Sequence, residues 1–259
     1  MGNLLELSEA VANQPLVSYY GLTRAVPIVE ELASYYLQYY GLGRDQLGAS
    51  YPILILVEGL LLQADEELER AQRGELPAES IEPWRRRIPT IVALLRELDL
   101  YHPRIEAELE RMGEFWLMEE RLLLTTEPPA LEDVLRAAEV RTSDARALHG
   151  IIARVAHQPI DDCFFELVWP MEVVFDLEQD VREYAEDERQ GLYNTYRMFV
   201  RMYGSEAQAR FDAELQRYRD LFTKRLAVAP PETQERVMRQ LLAVQAAYPS
   251  PQIPEPILP

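Results

Sequence analysis

The chain contains few of the residues that define several common classes of protein. Its single cysteine, Cys163, excludes an internal disulfide. None of its three histidines stands in the H-E-x-x-H or E-x-x-H pattern of zinc peptidases and di-iron proteins. No apolar run reaches the roughly 18 to 20 residues that span a bilayer, and no basic segment followed by an apolar one stands at the N-terminus. We therefore expect a soluble, cytoplasmic protein with no transmembrane segment.

Positive charge is also scarce. Lys and Arg total 26 against 44 Asp and Glu, and Lys224 is the only lysine, so the formal net charge is −18. This balance argues against nucleic acid or an anionic membrane surface as the main partner. The sequence also lacks a glycine-rich phosphate loop and a nucleophile elbow.

Helical periodicity is present almost everywhere, whereas strand-like alternation is absent over any useful length. Hydrophobic residues make up 48% of the 259 residues, enough for a substantial core. We predict one all-α domain, a bundle of about ten helices over residues 1–248. Its first helix is expected over Leu4–Asn13 and its second from a cap at Thr23 to Tyr40. Five prolines in the last eleven residues predict an extended tail over residues 249–259.

A stripe of acidic residues marks one predicted helix, from Met171 to Asn194. Pro170 is expected to kink or restart this helix. Because each helical residue turns about 100°, residues at offsets 0, 4, 7 and 11 share one face. Those positions are Asp176, Asp180, Glu183 and Asp187. Like charges so close repel each other by a few tenths of a kcal/mol per pair, so the stripe indicates either a bound cation or a solvated face.

A second acidic stripe lies on the predicted helix Tyr51–Arg73. Asp65 and Glu69 follow Glu58 at offsets 7 and 11, and Glu58 itself stands in an apolar run. A carboxylate buried there needs a partner cation or a raised pKa. Carboxylates without histidines favour hard cations such as Mg²⁺. Two such helices facing each other would form a magnesium site.

The residues of these two helices resemble a known pair of motifs. The segment REYAED, Arg182–Asp187, with Gly191 and Tyr193 after it, resembles the second acidic motif of the squalene and phytoene synthases, R-D-x-x-E-D-x-x-x-G. The segment ADEELE, Ala64–Glu69, is similar to their first motif, A-D-D-x-x-D. About 118 residues separate the two motifs, as in that family. Glutamates replace two of the aspartates, Gln179 replaces an asparagine, and the Tyr/Gly-containing helix between the motifs is not found.

The resemblance implies a class I isoprenoid synthase-like fold and a terpene synthase or prenyltransferase activity. The implied substrate is a prenyl diphosphate, which is ionised and then coupled or cyclised with the help of more than one Mg²⁺; a homodimer is possible. The implied metal ligands are Asp65, Glu69, Asp176, Asp180, Glu183 and Asp187. Of these, Asp65, Glu69, Glu183 and Asp187 are the implied catalytic residues, and the implied substrate-binding residues are Arg182, Tyr184, Asn194 and Arg217.

Two other functions stay open from the sequence. One is another all-α, Mg²⁺-dependent chemistry at a diphosphate, nucleotide pyrophosphohydrolysis, in which acidic helices also hold the metal. The other is a non-catalytic helical binding protein whose acidic stripes are solvated faces. The sequence does not fix the chain length of a prenyl substrate or the product.

Overall fold

Helices form nearly all the regular structure of this protein, which a computed structural model describes at residues 17–40, 43, 48, 51–75 and 84–258. Those ranges contain no strand, so the prediction of an all-α fold is confirmed. The predicted helix over Leu4–Asn13 lies outside them. The helices are α1 (Tyr19–Tyr39), α2 (Tyr51–Gln72), α3 (Trp84–Glu97), α4 (Pro103–Leu124), α5 (Leu131–Arg141), α6 (Ser143–Val155), α7 (Asp162–Gln190), α8 (Thr195–Tyr203), α9 (Ala207–Val228) and α10 (Pro231–Ala247), with a 3-10 turn at Gly204–Glu206.

The longest helix, α7, has defined caps at both ends. The Asp161 side chain accepts hydrogen bonds from the backbone N–H groups of Cys163 at 2.9 Å and Phe164 at 3.3 Å. At the other end Gly191 adopts the left-handed conformation, φ 75°, that terminates many helices. The helix continues through Pro170, so of the two expected effects of this proline, a kink or a restart, the restart does not occur. One element therefore carries residues 162 to 190.

Helices α1 and α2 approach each other closely at two glycines. A Cβ atom on Gly21 would lie 2.9 Å from the carbonyl oxygen of Gly59, and one on Gly59 would lie 3.1 Å from Leu22 Cδ2. The approach thus depends on the missing side chains. Because Glu58 precedes Gly59, this contact also fixes the position of the buried acid.

One continuous hydrophobic core joins the helices into a single domain. Helix α9 packs on α7, and α4 packs on α5 and α6. Trp116, Tyr184, Tyr196 and Tyr218 are among the largest fully buried side chains. Within the described ranges, no helix combines the length and apolar character needed to cross a bilayer.

The residues after α10 run without regular structure along α7, α8 and α9, as the prolines predict. The hydroxyl of Tyr196 donates to the carbonyl oxygen of Pro254 at 2.6 Å, and the N–H of Ile257 donates to the hydroxyl of Tyr184 at 2.9 Å. Arg182 donates to the carbonyl oxygen of Pro249 at 3.1 Å. Hydrogen bonds along its length therefore hold this tail against the helices.

Candidate functional site

A cavity of about 560 Å³ lies between the helices and is lined by eight of them. Helix α7 contributes one stripe of side chains at helical spacing. Its lining residues up to Met171 are apolar, and those from Glu172 onward include the acids Glu172, Asp176, Glu183 and Asp187. The cavity therefore changes from an apolar end, at the start of α7, to an acidic end, toward the C-terminus of that helix. Helices α1, α9 and α10 add the apolar residues Ile28, Leu32, Phe222, Val237, Leu241 and Val244.

Five of the six predicted metal ligands line this cavity. Asp65 and Glu69 enter from α2, and Asp176, Glu183 and Asp187 enter from α7. Arg182, a predicted substrate-binding residue, also lines it. The structure thus brings together residues that are more than a hundred positions apart in sequence.

The α2 side of the acidic end is partly desolvated. The indole N–H of Trp116 donates to Asp65 Oδ1, and burial raises the pKa of Asp65 to about 7. Glu119 of α4 lies beside it and accepts a hydrogen bond from Gln72 at 2.9 Å. Burial raises the pKa of Glu119 to about 8. Burial and the charge of Glu66 also raise the pKa of Glu69.

On the α7 side, Asn194 holds a site carboxylate. Its Nδ2 donates to Asp187 Oδ2 at 2.9 Å and to the carbonyl oxygen of Asp180 at 2.7 Å. Its Oδ1 accepts from the N–H of Arg197 at 3.1 Å and so caps α8. Burial, followed by the charges of Asp180 and Glu183, raises the pKa of Asp187 to about 6. Asn194 therefore positions Asp187 and does not itself line the cavity.

Three other predicted site residues lie outside the cavity lining. Asp180 is buried and accepts hydrogen bonds from Arg141 at 2.6 Å and from the N–H of Thr195 at 2.9 Å. The reason is angular: Asp180 lies about 40° around the helix from Asp176, toward the start of α8. Tyr184 faces the tail, and Arg217 pairs with Glu214 at 2.5 Å on the surface of α9. These positions correct the expected placement of Asp180, Tyr184 and Arg217.

Several residues of the cavity carry no pattern in the sequence. Arg141 ends α5, Asp144 lies in the first turn of α6, and Arg24 stands alone on α1. None of the three belongs to the repeated acidic spacing of α2 and α7, so that spacing does not mark them. The resemblance did not identify these residues either, because the Tyr/Gly-containing helix that the family has between its two motifs is not found in the sequence.

Glu58 is among the least exposed of the carboxylates that line the cavity. It is 1% exposed, and its Oε2 has no hydrogen-bond partner among the described residues. Burial raises its pKa well above the ordinary value, and the charges of Asp144 and Asp65 add to the shift. A raised pKa is one of the two outcomes, with a partner cation, that the sequence indicates for an acid in the apolar run of α2.

Negative charge greatly exceeds positive charge around the cavity. Three arginines line it among the described residues: Arg24, Arg141 and Arg182. The acids that line it are Glu31, Glu58, Asp65, Glu69, Glu119, Asp144, Glu172, Asp176, Glu183 and Asp187. Glu172 is balanced from behind by Arg146 at 3.4 Å, but most of the others keep raised pKa values because of burial.

The chemistry of these side chains fits a hard divalent cation. They offer carboxylate oxygens without histidine or cysteine, which suits Mg²⁺. Within the described ranges no three such groups converge closely enough to hold an ion.

Comparison of the chain with protein families, curated proteins and solved structures finds no match of any of the three kinds. Two properties of the cavity bear on the function of the chain: acidic side chains of α2 and α7 in its lining, and apolar walls beside them.

Proposed function

We propose that the protein is a Mg²⁺-dependent class I isoprenoid synthase-like enzyme. It ionises a prenyl diphosphate and directs the coupling or cyclisation of the resulting carbocation. The observation that carries this proposal is the division of the cavity. Acids of α2 and α7 oppose each other at one end, and apolar side chains of α7, α9 and α10 line the other. A molecule with an anionic head and a hydrocarbon chain matches this division.

The acidic end serves the head of the substrate. Asp65 and Glu69 of α2, with Asp176, Glu183 and Asp187 of α7, are the residues that would hold Mg²⁺. Bound there, Mg²⁺ neutralises the diphosphate and makes it a better leaving group. Arg182 and Arg141 line the same end and can donate paired hydrogen bonds to phosphate oxygens.

The apolar end serves the hydrocarbon chain. Phe175 and Phe222 present aromatic rings there, and Leu241 and Val244 of α10 complete the wall. Aromatic faces stabilise a nearby cation by electrostatic attraction. Excluding water from this end keeps a carbocation from being quenched before its carbon chain reacts.

A nucleotide matches the cavity less well than a prenyl chain does. Recognition of a base and a sugar requires several polar groups beyond the phosphate site. Apolar residues such as Ile28, Leu32 and Val237 instead outnumber the uncharged polar residues in the cavity lining. This difference favours isoprenoid chemistry over nucleotide pyrophosphohydrolysis.

The test is turnover by the purified full chain with Mg²⁺. Prenyl diphosphates of ten, fifteen and twenty carbons are supplied singly, and hydrocarbon and alcohol products are identified by mass. We expect product with at least one substrate and none after chelation of the metal. Nucleoside triphosphates are assayed in parallel for pyrophosphate release. Release from these, with no prenyl product, would replace the proposal by pyrophosphohydrolysis.

A further inference from the structure

Helix α10 turns one face toward the cavity. Val237, Leu241 and Val244 line the cavity at helical spacing, and Tyr248, just after the helix, continues the same face. Most of the other described residues of α10 are exposed, among them Leu242 at 59%. The inner face of this helix therefore borders the cavity, and the helix itself separates that part of the cavity from solvent.

Little of α10 is buried. Val237 and Val244 are its buried residues among those described, and the helix packs chiefly against α1. Arg236 adds a hydrogen bond to the carbonyl oxygen of Tyr39 at 3.3 Å. Before α10 the backbone of Ala229 is extended, which separates this helix from α9. Elements with few buried apolar contacts open locally at low cost, so α10 can move while the rest of the core stays packed.

The chain just after α10 joins two helices beside the cavity. The hydroxyl of Tyr248 donates to the carboxylate of Glu31 of α1, and the carbonyl oxygen of Pro249 accepts a hydrogen bond from Arg182 of α7 at 3.1 Å. Glu31, Arg182 and Tyr248 all line the cavity and all are exposed. Tyr248 and Pro249, here called the latch, therefore bridge α1 and α7 where the cavity reaches the surface.

The residues after the latch are fastened to the outside of the helices. Residues 250–258 are here called the strap. Ser250 Oγ donates to Glu178 of α7 at 2.7 Å, and Gln208 of α9 donates to the carbonyl oxygen of Ile253 at 2.8 Å. Tyrosine hydroxyls of α7 and α8 bind the strap further along. Because three helices hold the strap, it cannot follow α10 outward without losing these hydrogen bonds.

We propose that α10 is a lid on the cavity, that the latch closes it against α1 and α7, and that the strap keeps the latch in place. When the latch is released, the end of α10 moves away and opens the wall formed by Leu241 and Val244 to an apolar molecule. Water replaces the hydrogen bonds that the latch loses. This inference concerns access to the cavity and does not depend on the reaction performed there.

Uptake of a neutral apolar dye, Nile red, by the full chain tests the lid. The double variant Tyr248→Phe/Ser250→Ala removes one hydrogen bond of the latch and one of the strap. We expect the dye to enter this variant about tenfold faster than the unmodified chain, the effect of losing about two hydrogen bonds. Stopped-flow fluorescence measures the rate. Equal rates in the two proteins, or no uptake by the double variant, would overturn the proposal.

Tyr101→Phe is the matched control for the latch. It also removes a hydrogen bond between a tyrosine and a glutamate, from Tyr101 to Glu106 at 2.5 Å, but neither residue lines the cavity. The rate of dye uptake should equal that of the unmodified chain. An increase as large as in the double variant would contradict a specific role of the latch.

A neighbouring pair of leucines on α10 shows where the dye binds. Leu241 lines the cavity, whereas Leu242 is exposed. Leu241→Trp fills space inside the cavity, so we expect it to abolish most of the rise in fluorescence, and Leu242→Trp should leave the rise unchanged. A rise that Leu241→Trp does not reduce would place the dye outside the cavity and overturn the proposed route.

Hydrogen exchange followed by mass spectrometry separates opening of the lid from a general loss of stability. In the double variant we expect faster exchange across α10 and unchanged exchange in α4, which packs in the core. Exchange that accelerates equally in both helices would show that α10 does not open separately, and it would overturn the lid.

Discussion

At the scale of single residues, Asp187 carries the clearest prediction. It lines the acidic end and is held by Asn194. Asp187→Asn removes one negative oxygen while keeping the shape, so we expect turnover with Mg²⁺ to fall at least about 100-fold. Circular dichroism should show unchanged helix content.

The neighbouring Glu186 provides the matched control for that experiment. It is exposed and pairs with Arg189 away from the cavity. Glu186→Gln also removes one charge from the same turn of α7, but turnover should stay within about twofold of the unmodified chain, because surface pairs contribute little. An equal loss of turnover in both variants would show that Asp187 is not part of the site.

Glu58 gives a prediction about stability. Its pKa is raised in the folded chain, so the folded state holds a proton that the unfolded state releases as pH rises above the ordinary carboxyl range. The free energy of unfolding therefore decreases on going from pH 5 to pH 8. Glu58→Gln prevents this decrease because the amide cannot ionise. We expect a higher melting temperature than the unmodified chain at pH 8, without Mg²⁺, and little difference at pH 5.

Glu110, exposed on α4, provides the control substitution. Glu110→Gln should leave the melting temperature nearly unchanged at both pH values, since substitutions at exposed positions usually change stability by less than about 0.5 kcal/mol. A Glu58→Gln variant that melts lower at pH 8 than the unmodified chain would contradict the assignment of Glu58 as a destabilised buried acid.

Which site residues could be predicted depended on whether they form a pattern. Asp65, Glu69 and Asp187 repeat at helical spacing, and they do line the cavity. The same spacing also included Asp180, which binds Arg141 instead. Periodicity places a residue on a face to within some tens of degrees, but the neighbouring helix decides which edge of that face is covered. Isolated residues such as Asp144 give no periodic signal.

At the scale of the helices, the contact between α1 and α2 carries a prediction. Gly21→Ala introduces a Cβ atom 2.9 Å from a backbone oxygen that cannot move independently of its helix. Alanine normally favours a helix over glycine by about 1 kcal/mol. Here we expect the opposite, a loss of about 1–3 kcal/mol of stability, because the helices must separate. Chemical denaturation measures the difference.

Gly43 serves as the comparison for Gly21. A Cβ atom there meets nothing within 4 Å, so Gly43→Ala should change the free energy of unfolding by less than about 0.5 kcal/mol. A Gly21→Ala variant as stable as Gly43→Ala would show that the two helices tolerate greater separation than the structure indicates.

The bounds of the helices were predictable where the ends are marked chemically. Pro103 stands at the first turn of α4, where proline is favoured, and Gly191 ends α7 in the conformation that glycine favours. The expected cap at Thr23 was wrong: Thr23 lies inside α1, and its hydroxyl donates to the carbonyl oxygen of Tyr19 at 3.0 Å. Threonine makes this bond within a helix as well as at a cap, so its presence alone does not locate the start.

At the scale of the whole molecule, metal and pH should act together on stability. The pKa values of Asp65, Glu119 and Asp187 are raised to about 7, about 8 and about 6. Protons and Mg²⁺ compete for such carboxyls. We expect 10 mM Mg²⁺ to raise the melting temperature clearly at pH 8 and little at pH 5.5. An equal rise at both pH values would indicate binding elsewhere.

The meeting of α2 and α7 could not be derived from periodicity. Each stripe is visible in its own helix, but nothing in the spacing says that residues about 118 positions apart share a cavity. The two stripes indicated only that such helices could face each other, and the resemblance implied that they do. The buried contacts that close the cavity, such as Trp116 on Asp65, depend on how the whole core packs.

The three hydrogen bonds of Asn194 have a consequence for mutational tolerance. One side chain caps α8, joins it to α7 and orients Asp187. Substituting it disturbs folding and the site in the same event. In a library of random variants screened for chains that fold but do not turn over substrate, changes at Asp187 should be recovered and changes at Asn194 should be depleted. Substitution of Asn194 is therefore restricted both by the packing of α8 on α7 and by the need to orient Asp187.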